Sequence, residues 1–586
     1  MMLRAWGLSL GAVAWSVAVL GVAACGADSE GTPESVAIAS GDGGTSTSIV
    51  ESPDAGGSED GSPAVSSPSL PTSPVVCPAL PKLGGASTSK VPAEWIARNY
   101  VDALGRLPTT AEWTFVLASQ GTTCNADRLT SVVSLYNGAE FLSLPYTARE
   151  RSLAMFRGLI GHDPRSDELD KLTAYQEEKP EGLCSAIEFL VKSKQFSDHA
   201  ATICSTSVAN YHFEKGFPAI GSGDALSESE LRSKLKNAAS GDVVELPRGA
   251  YVELKSSLVV PSGVTLRTAG MGTEADRKAY ARLARLTRGV GFGDALVQLE
   301  EGAHIEALWL DGRVGDFASD PDTSKLGPNV FTEPTVKMAS SVRYIRSENP
   351  SGAQNIRIGS YAGKVCTKEM LVEGNLATNS GNDNRAGGAR PIWSDGIFVH
   401  CETSLVKNNE VLDPSDVGLI LFVSENGEQH SSITSNRVLS AGNDAFGGLV
   451  IDTWTGFRCK FTPCDFSNAG FSDNTLWSGP NTRFVFAIST ASSPWSFIPG
   501  HGTARGASFL RNTSGSARIR TQVAFYGAHL LDATVSSNWN GTLIDFVGPA
   551  GSVPLNTCPI GATLVEAATT SGSFQSSVPG SRTDCI

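Results

Sequence analysis

The sequence predicts a mainly β chain: a right-handed parallel β-helix, or solenoid, preceded by a small all-α domain, a disordered tether and an N-terminal export signal. Three observations carry this. First, a short pattern recurs between Ser394 and Leu476, in which apolar residues and a turn are followed by a polar run closing on Asn and an aliphatic residue. Asp395-Gly396-Ile397-Phe398-Val399 leads to Asn409-Glu410-Val411, Gly418-Leu419-Ile420-Leu421-Phe422 to Asn436-Arg437-Val438, and Gly448-Leu449-Val450-Ile451 to Asn474-Thr475-Leu476. Self-similarity of this kind means stacked units that bury their apolar faces only against neighbours. Second, the runs are short, β-branched and aliphatic, broken by Gly, Asn, Asp and Ser, so each unit is a set of strands rather than helices. Third, Asn stands at 375, 409, 436, 474, 512 and 538, about one bend per coil. There it tolerates left-handed backbone, and its stacked amides bond along the axis. These Asn are expected to be structural.

The chain has 586 residues, too long for one ordinary core. Its net charge of −14 argues against nucleic acid as a partner, because phosphate binding needs a Lys/Arg excess. An acidic polysaccharide would need a local basic groove or a bound cation. Residues 1–24 read as a signal peptide: Arg4 precedes an apolar run from Ala5 to Ala24 that ends in small residues, a secretory pattern and a poor candidate for a retained transmembrane helix. The ending Val22-Ala23-Ala24-Cys25 resembles the lipobox of bacterial lipoproteins. That resemblance implies a diacylated Cys25 as mature N-terminus and only membrane anchor, and Gly26 after it implies the outer membrane, hence an exported cell-surface lipoprotein. An ordinary signal peptide is the alternative. Residues 25–77 are dominated by Ser, Gly, Pro, Thr and acidic side chains and read as a flexible tether.

From 78 to 205 the spacing turns helical, with Trp95, Ile96, Tyr100, Val101 and Leu104 on one face and Leu153, Phe156, Leu159 and Ile160 on another. Two copies are legible, Tyr100–Pro108 matching Phe156–Pro164, each closing a helix on Gly shortly before Pro. This resembles a bacterial repeat of unknown function related to phycobilisome-linker domains, which implies a helical accessory module facing a protein partner and names no chemistry. His162 is expected to be a turn residue.

The β-helix spans 207–586, with a C-terminal cap. A helix from Glu230 to Ala239 opens it, as a cover for exposed strand edges. That helix, Gly241-Asp242-Val243-Val244-Glu245-Leu246-Pro247-Arg248-Gly249-Ala250-Tyr251 and Leu258–Leu266 resemble the opening coil of the pectate-lyase-like superfamily. The resemblance implies the fold; its members include lyases, hydrolases, epimerases, esterases and adhesins, so activity stays open. Ten cysteines remain beside Cys25, an even number suited to an exported disulfide-bonded chain. Cys77, Cys124, Cys184 and Cys204 are expected to pair among themselves, and Cys366 with Cys401, Cys459 with Cys464, and Cys558 with Cys585. Cysteine-bound zinc is not expected, since no Cys-x-x-Cys has a matching second pair or a nearby His.

Asp395, Asp416 and Asp444 precede strand starts in successive coils, with Asp413, Asp452 and His400 nearby. Rungs about 4.8 Å apart let acids of neighbouring coils reach the roughly 5–9.5 Å separations of glycosidase pairs. Asp395, Asp416 and His400 are therefore the candidate catalytic residues. Ser394-Asp395-Gly396-Ile397 resembles the Asn-Thr-Asp-Gly segment of polygalacturonase-type hydrolases, which implies a second acid at Asp416. Gly500-His501-Gly502 also resembles that family, but at about 30 residues per coil His501 lies nearly three rungs from Asp416, roughly 13 Å, and is read as coincidence. The bland reading makes Asp395 and Asp416 bend residues. A lyase would need a Lys or Arg base beside a cation such as Ca²⁺ held by carboxylates; Arg385, Arg390 and Lys407 are candidates. Trp393, Trp454, Trp477 and Trp495 are candidate sugar platforms. The sequence thus leaves two classes: a hydrolase or lyase acting on extracellular polysaccharide, or a non-catalytic surface protein binding glycan or matrix.

Overall fold

The computed structural model describes Cys77, Cys124 and residues 93–119, 135–178, 182–205, 219–289, 294–313, 327–352, 354–359, 366–382, 392–424, 426–452, 464–490 and 507–514, together with strands between 504 and 564. Cys25, Arg385, Arg390, Trp454, Cys459, Trp495, His501, Cys558, Cys585 and the side chain of Trp393 lie outside the described residues. Leu70–Ile586 form one compact unit that holds both the helical and the β parts.

The β part is a right-handed parallel β-helix built from three rows of strands. The first row begins with Val243–Leu246 and Thr265–Thr268 and continues through Met370–Glu373, Ser404–Lys407 and Ser432–Thr434. The second runs from Tyr251–Leu254 through Ala284–Arg288, Leu308–Asp311, Arg346–Glu348, Leu376–Asn382, Glu410–Pro414 and Arg437–Ser440. These two rows make one 20-stranded sheet and the third row a 10-stranded sheet. The exception to parallel pairing in the long sheets is Ile392–Trp393, antiparallel on Leu376–Asn382. Inward residues such as Val244, Leu246, Val252, Leu254, Leu258 and Val260 are buried in one continuous core. The opening helix, Glu228–Asn237, is capped by Ser227, buries Leu231 and Leu235, and is pinned by Arg232 donating to the carbonyls of Ser256 and Ser257 (2.6 and 3.0 Å).

Asn375, Asn409, Asn436, Asn474 and Asn512 stack at the single-residue bend between the first two rows. Each of the first four donates its amide to the next Oδ1 at 2.9–3.0 Å and to a carbonyl of the preceding coil, as in Asn409 Nδ2 to Val372 O (3.0 Å). Each Oδ1 also accepts a backbone N–H, as Asn436 Oδ1 does from Asn409 (2.9 Å). The ladder is thus fully satisfied inside the core, which is the condition for burying amides without cost. The left-handed backbone falls one residue earlier than the sequence suggests, at Gly374 (φ 65°), Asn408 (57°), Ser435 (57°), Asp473 (57°) and Arg511 (53°). The turning residue is exposed at 408, 435, 473 and 511 and is a buried glycine at 374, whereas the Asn must stay extended to aim its amide along the axis. Asn538 falls out of step, because the pairing shifts by one residue between Leu510 and Thr513.

In the helical part, Ala93–Leu104 and Ala148–Ile160 bury the faces expected of them. Disulfides join Cys77 to Cys184, Cys124 to Cys204 and Cys366 to Cys401, and Cys464 is also disulfide-bonded. His162 is the expected turn residue, with Nδ1 2.7 Å from the Asp163 carbonyl and its ring against Phe156.

The repeated motif packs on the outer face of the second row. Arg285, Trp309 and Arg346 are register partners there, and both guanidinium groups lie over the indole at 3.9 and 5.5 Å. Arg157 of the second repeat lies over the same indole at 4.8 Å. Asp163 chelates Arg285 (3.0 and 2.9 Å) and pairs with Arg157 (2.6 Å), while Asp102 of the first repeat, at the position of Gly158 in the second, pairs with Arg346 (2.6 Å). Glu348 and Asp311 complete the network through Arg346, Arg157 and Arg285. Gly105 comes so close to the Lys278 backbone that a Cβ would lie 2.3 Å from its carbonyl oxygen, at a φ of 59° that already favours Gly. Further along the row, Leu107 N donates to Glu410 (3.1 Å), Arg437 to Pro108 O (2.6 Å) and Trp113 to Ser478 O (3.0 Å).

Candidate active site

The third row carries the candidate acids on Asp395–Val399, Val417–Phe422 and the turn between Pro414 and Val417. Gly396, Gly418 and Gly448 recur here for want of room: an added Cβ would lie 2.5, 2.7 and 2.5 Å from Val411, Val438 and Leu476 respectively, in the second row of the same coil. The aspartate before or near each glycine therefore sits where the strand swings across the core.

Asp395 is 6% exposed. Its Oδ1 accepts the Val417 N–H at 3.2 Å, and Gln354 of the preceding coil also bonds it. Burial pushes its carboxyl well above the usual carboxylate range, and the negative charge of Asp416 pushes in the same direction, against the pull of those two hydrogen bonds. Asp416 is half-buried, and its backbone joins three coils: its N–H donates to Ser394 O (3.2 Å) and its carbonyl accepts from Phe446 and Gly447 (2.7 and 3.0 Å). The pair is thus asymmetric, one carboxyl buried and held towards its neutral form and the other on a half-buried residue of the next coil.

The other candidates are placed elsewhere. Asp444 is paired with Arg483, accepting from its backbone N–H (3.0 Å) and its Nε (3.2 Å). Asp413 is a buried left-handed turn residue whose Oδ1 caps the N–H groups of Ala441 and Gly442 (2.6 and 2.8 Å). His400 is buried just past the opposite end of the Asp395–Val399 strand, beside the packed Phe398–Phe422 pair, five residues or about 17 Å of strand rise from Asp395. It does not join the acid pair. Asp452 is register partner to Phe422, and its charge adds a smaller upward push on the Asp395 carboxyl. Lys407 stands on the first row, bonded to Glu373 (3.0 Å) within an alternating column Glu245, Arg267, Glu306, Arg343, Glu373, Lys407. That removes it from the acids' face. Trp477 is fully buried beneath Arg437 and cannot serve as a sugar platform.

Reading the sequence missed Gln354, whose contact with Asp395 spans two coils, and a Glu402, Glu428 and His430 group at a corner between the third and first rows. No local spacing signals either, since the partners come from different coils.

Fold and ladders define the class: a parallel β-helical solenoid of three strand rows, here with a helical part docked on its second face. No protein-family model and no curated protein sequence matches the chain. Among solved structures it is similar to endo-xylogalacturonan hydrolase from Aspergillus tubingensis, at 14% identity over 58% of this chain and 94% of that one, with a TM-score of 0.35. It is also similar to a mannuronic acid specific polysaccharide family 6 lyase from human gut microbiota, at 12% identity over 59% and 91% of the two chains and a TM-score of 0.28. A third likeness is to a PL6 alginate lyase in complex with a trisaccharide, at 12% identity over 55% and 84% and a TM-score of 0.26. At these values the likenesses carry no argument about the site, and the class rests on the strand ladders themselves.

Proposed function

We propose that this protein is an exported, lipid-anchored β-helix that cleaves an extracellular polysaccharide by acid-assisted hydrolysis, with Asp395 as proton donor and Asp416 as its ionised partner. The observation that carries the reading is the unequal pair of carboxyls in consecutive coils, one held up by burial and by the charge of the other. Environments that push two neighbouring carboxyls apart are how one site runs acid and base chemistry together. Asp395 would protonate the glycosidic oxygen as the bond to it breaks, and Asp416 would meet the developing positive charge at the anomeric carbon, directly or through a water. Lys407, the described candidate for a lyase base, stands on another face. The second reading is a non-catalytic glycan- or matrix-binding surface protein, favoured by the deep burial of Asp395 and its bond to a backbone N–H. A panel of polysaccharides, scored for reducing ends, unsaturated products and binding, separates the classes. Reducing ends alone mean hydrolysis, unsaturated products a lyase, and binding without product the second reading; silence on all three sinks every glycan assignment.

The same proposal places the chain at the outer membrane through Cys25. Among the described residues no helix is long and apolar enough to cross a membrane. Cys25→Ser is expected to move the protein from the detergent phase to the soluble exported fraction or to leave it unprocessed, and unchanged detergent partitioning would refute the anchor. The motif residues Asp102, Gly105, Arg157 and Asp163 of the helical part all contact the β-helix of their own chain, so a linker-related module that also meets a separate protein partner would do so through other residues.

A further inference from the structure

Three coils meet at one corner between the third and first rows, and there Glu402, Glu428 and His430 bring ligand atoms within 4.8 Å of one another. The corner is rigid for reasons independent of those side chains. Gln429 is buried between Glu428 and His430; its amide donates to the carbonyls of Cys401 and Phe422 (2.9 and 2.6 Å) and its oxygen accepts from the N–H groups of His430 and Ser431 (both 3.0 Å). Cys401, next to Glu402, is tied to Cys366, and the His430 N–H donates to the Glu402 carbonyl (2.7 Å). The next coil is stitched on by Gln429 N to Asp465 O and Asp465 N to Gly427 O, both 2.8 Å.

Within this frame the distances decide the chemistry. His430 Nε2 lies 3.5 Å from Glu428 Oε2 and 3.7 Å from Glu402 Oε1. A charge-assisted hydrogen bond would draw such a pair to about 2.7–2.9 Å. Two ligands of one tetrahedral ion, at bond lengths of about 2.0–2.2 Å, stand about 3.4 Å apart. Among the described residues no Lys or Arg forms an ion pair with either carboxylate. The outer contacts suit the same role. Asn426 donates to Glu402 Oε2 (2.9 Å), and the Asn468 amide lies 3.3 Å from His430 Nδ1. With that amide turned so that its oxygen faces the ring, Nδ1–H donates to it and the Nε2 lone pair is left for a cation, the usual second-shell arrangement of a metal-bound imidazole.

We propose that Glu402, Glu428 and His430 bind a divalent transition metal of the zinc class, with a fourth position open to solvent beside the half-exposed Glu428. An imidazole with two carboxylates selects such an ion over Ca²⁺, which prefers all-oxygen cages of six to eight ligands. The site stands apart from Asp395 and Asp416 and does not depend on the polysaccharide reading. The test is calorimetric titration of the full chain, stripped by chelator, with Zn²⁺ alone. Saturable one-to-one binding is expected, lost in His430→Ala, strongly weakened in Glu402→Gln and Glu428→Gln, and reduced about 10–100-fold in Asn468→Ala, with no comparable uptake of Ca²⁺. Should His430→Ala fail to fold by circular dichroism, Glu428→Gln carries the test, since its side chain is 53% exposed and makes no backbone contact that the fold needs. Absence of saturable Zn²⁺ binding, or binding unchanged in the folded Glu402→Gln and Glu428→Gln variants, overturns the proposal.

Discussion

Asp395→Asn and Asp416→Asn are each expected to lower polysaccharide turnover by about 10²–10⁴-fold, the contribution of a positioned proton donor or acceptor in a transition state. The companion effect on stability has a sign that separates catalysis from architecture. The Asp395 carboxyl is held well above its ordinary value by burial first and by Asp416 second. A raised folded-state pKa means that stability from the neutral form is fully present below the unfolded value of about 3.9 and is lost as pH rises through the folded value. Asp395→Asn, neutral at every pH and able to keep a carbonyl for the Val417 N–H, should therefore melt at or above the parent at neutral pH. The difference should vanish in acid. Asp416→Asn removes the neighbouring charge, so the Asp395 value falls towards its ordinary one, and the stability lost as pH rises should be smaller and complete at lower pH than in the parent. A bend residue behaves oppositely: losing its hydrogen bond costs about 1 kcal/mol and glycan binding persists. Full turnover in both variants would sink the catalytic assignment.

Arg285→Met is expected to destabilise the protein by about 3–5 kcal/mol, because it leaves Asp163 and Asp311 buried and charged without their shared partner. Arg285 is 1% exposed and donates to both oxygens of Asp163, to Asp311 (2.6 Å) and to Ile220 O (2.7 Å). No cheap rearrangement exists, since the other face of the guanidinium lies on Trp309. The pH dependence follows from the acids. The Arg285 and Arg157 guanidinium groups outweigh burial and hold Asp163 down to about 2, and Arg157 and Arg346 do the same for Glu348, also to about 2. For depressed carboxyls the stabilisation is present above the unfolded values of about 3.9–4.3 and lost as pH falls towards 2. Arg285→Met lets the Asp163 value rise, so acid unfolding should begin at higher pH than in the parent. Thermal melting from pH 2 to 7, with hydrogen exchange across residues 93–205, reads both effects. An unchanged acid midpoint with unchanged exchange in the helical part would mean that the network does not hold it on the β-helix.

The sequence by itself determined the β-helix, and the reason is that its contacts are periodic. Each coil pairs with the next in the same way, so Asn409, Asn436 and Asn474 recur as the ladder recurs. The glycines at 396, 418 and 448 repeat for the same reason, marking one close approach in three coils. Helical periodicity likewise exposed the two α repeats and their apolar faces, and the cysteine positions sufficed for Cys366–Cys401 and for pairing within the helical part. What the period could not carry is anything set by the phase of one coil against another or by docking between unlike elements. Asp395 opens a strand that His400 follows, yet five residues of extended chain hold them apart, and the asymmetry of Asp395 and Asp416 depends on burial that no spacing reports. Glu402 meets His430 only because two corner loops are stacked in register. Asp163 and Arg285, 122 residues apart, meet only because a helical repeat lies across the second row, where desolvation and a shared indole decide which charges must be paired.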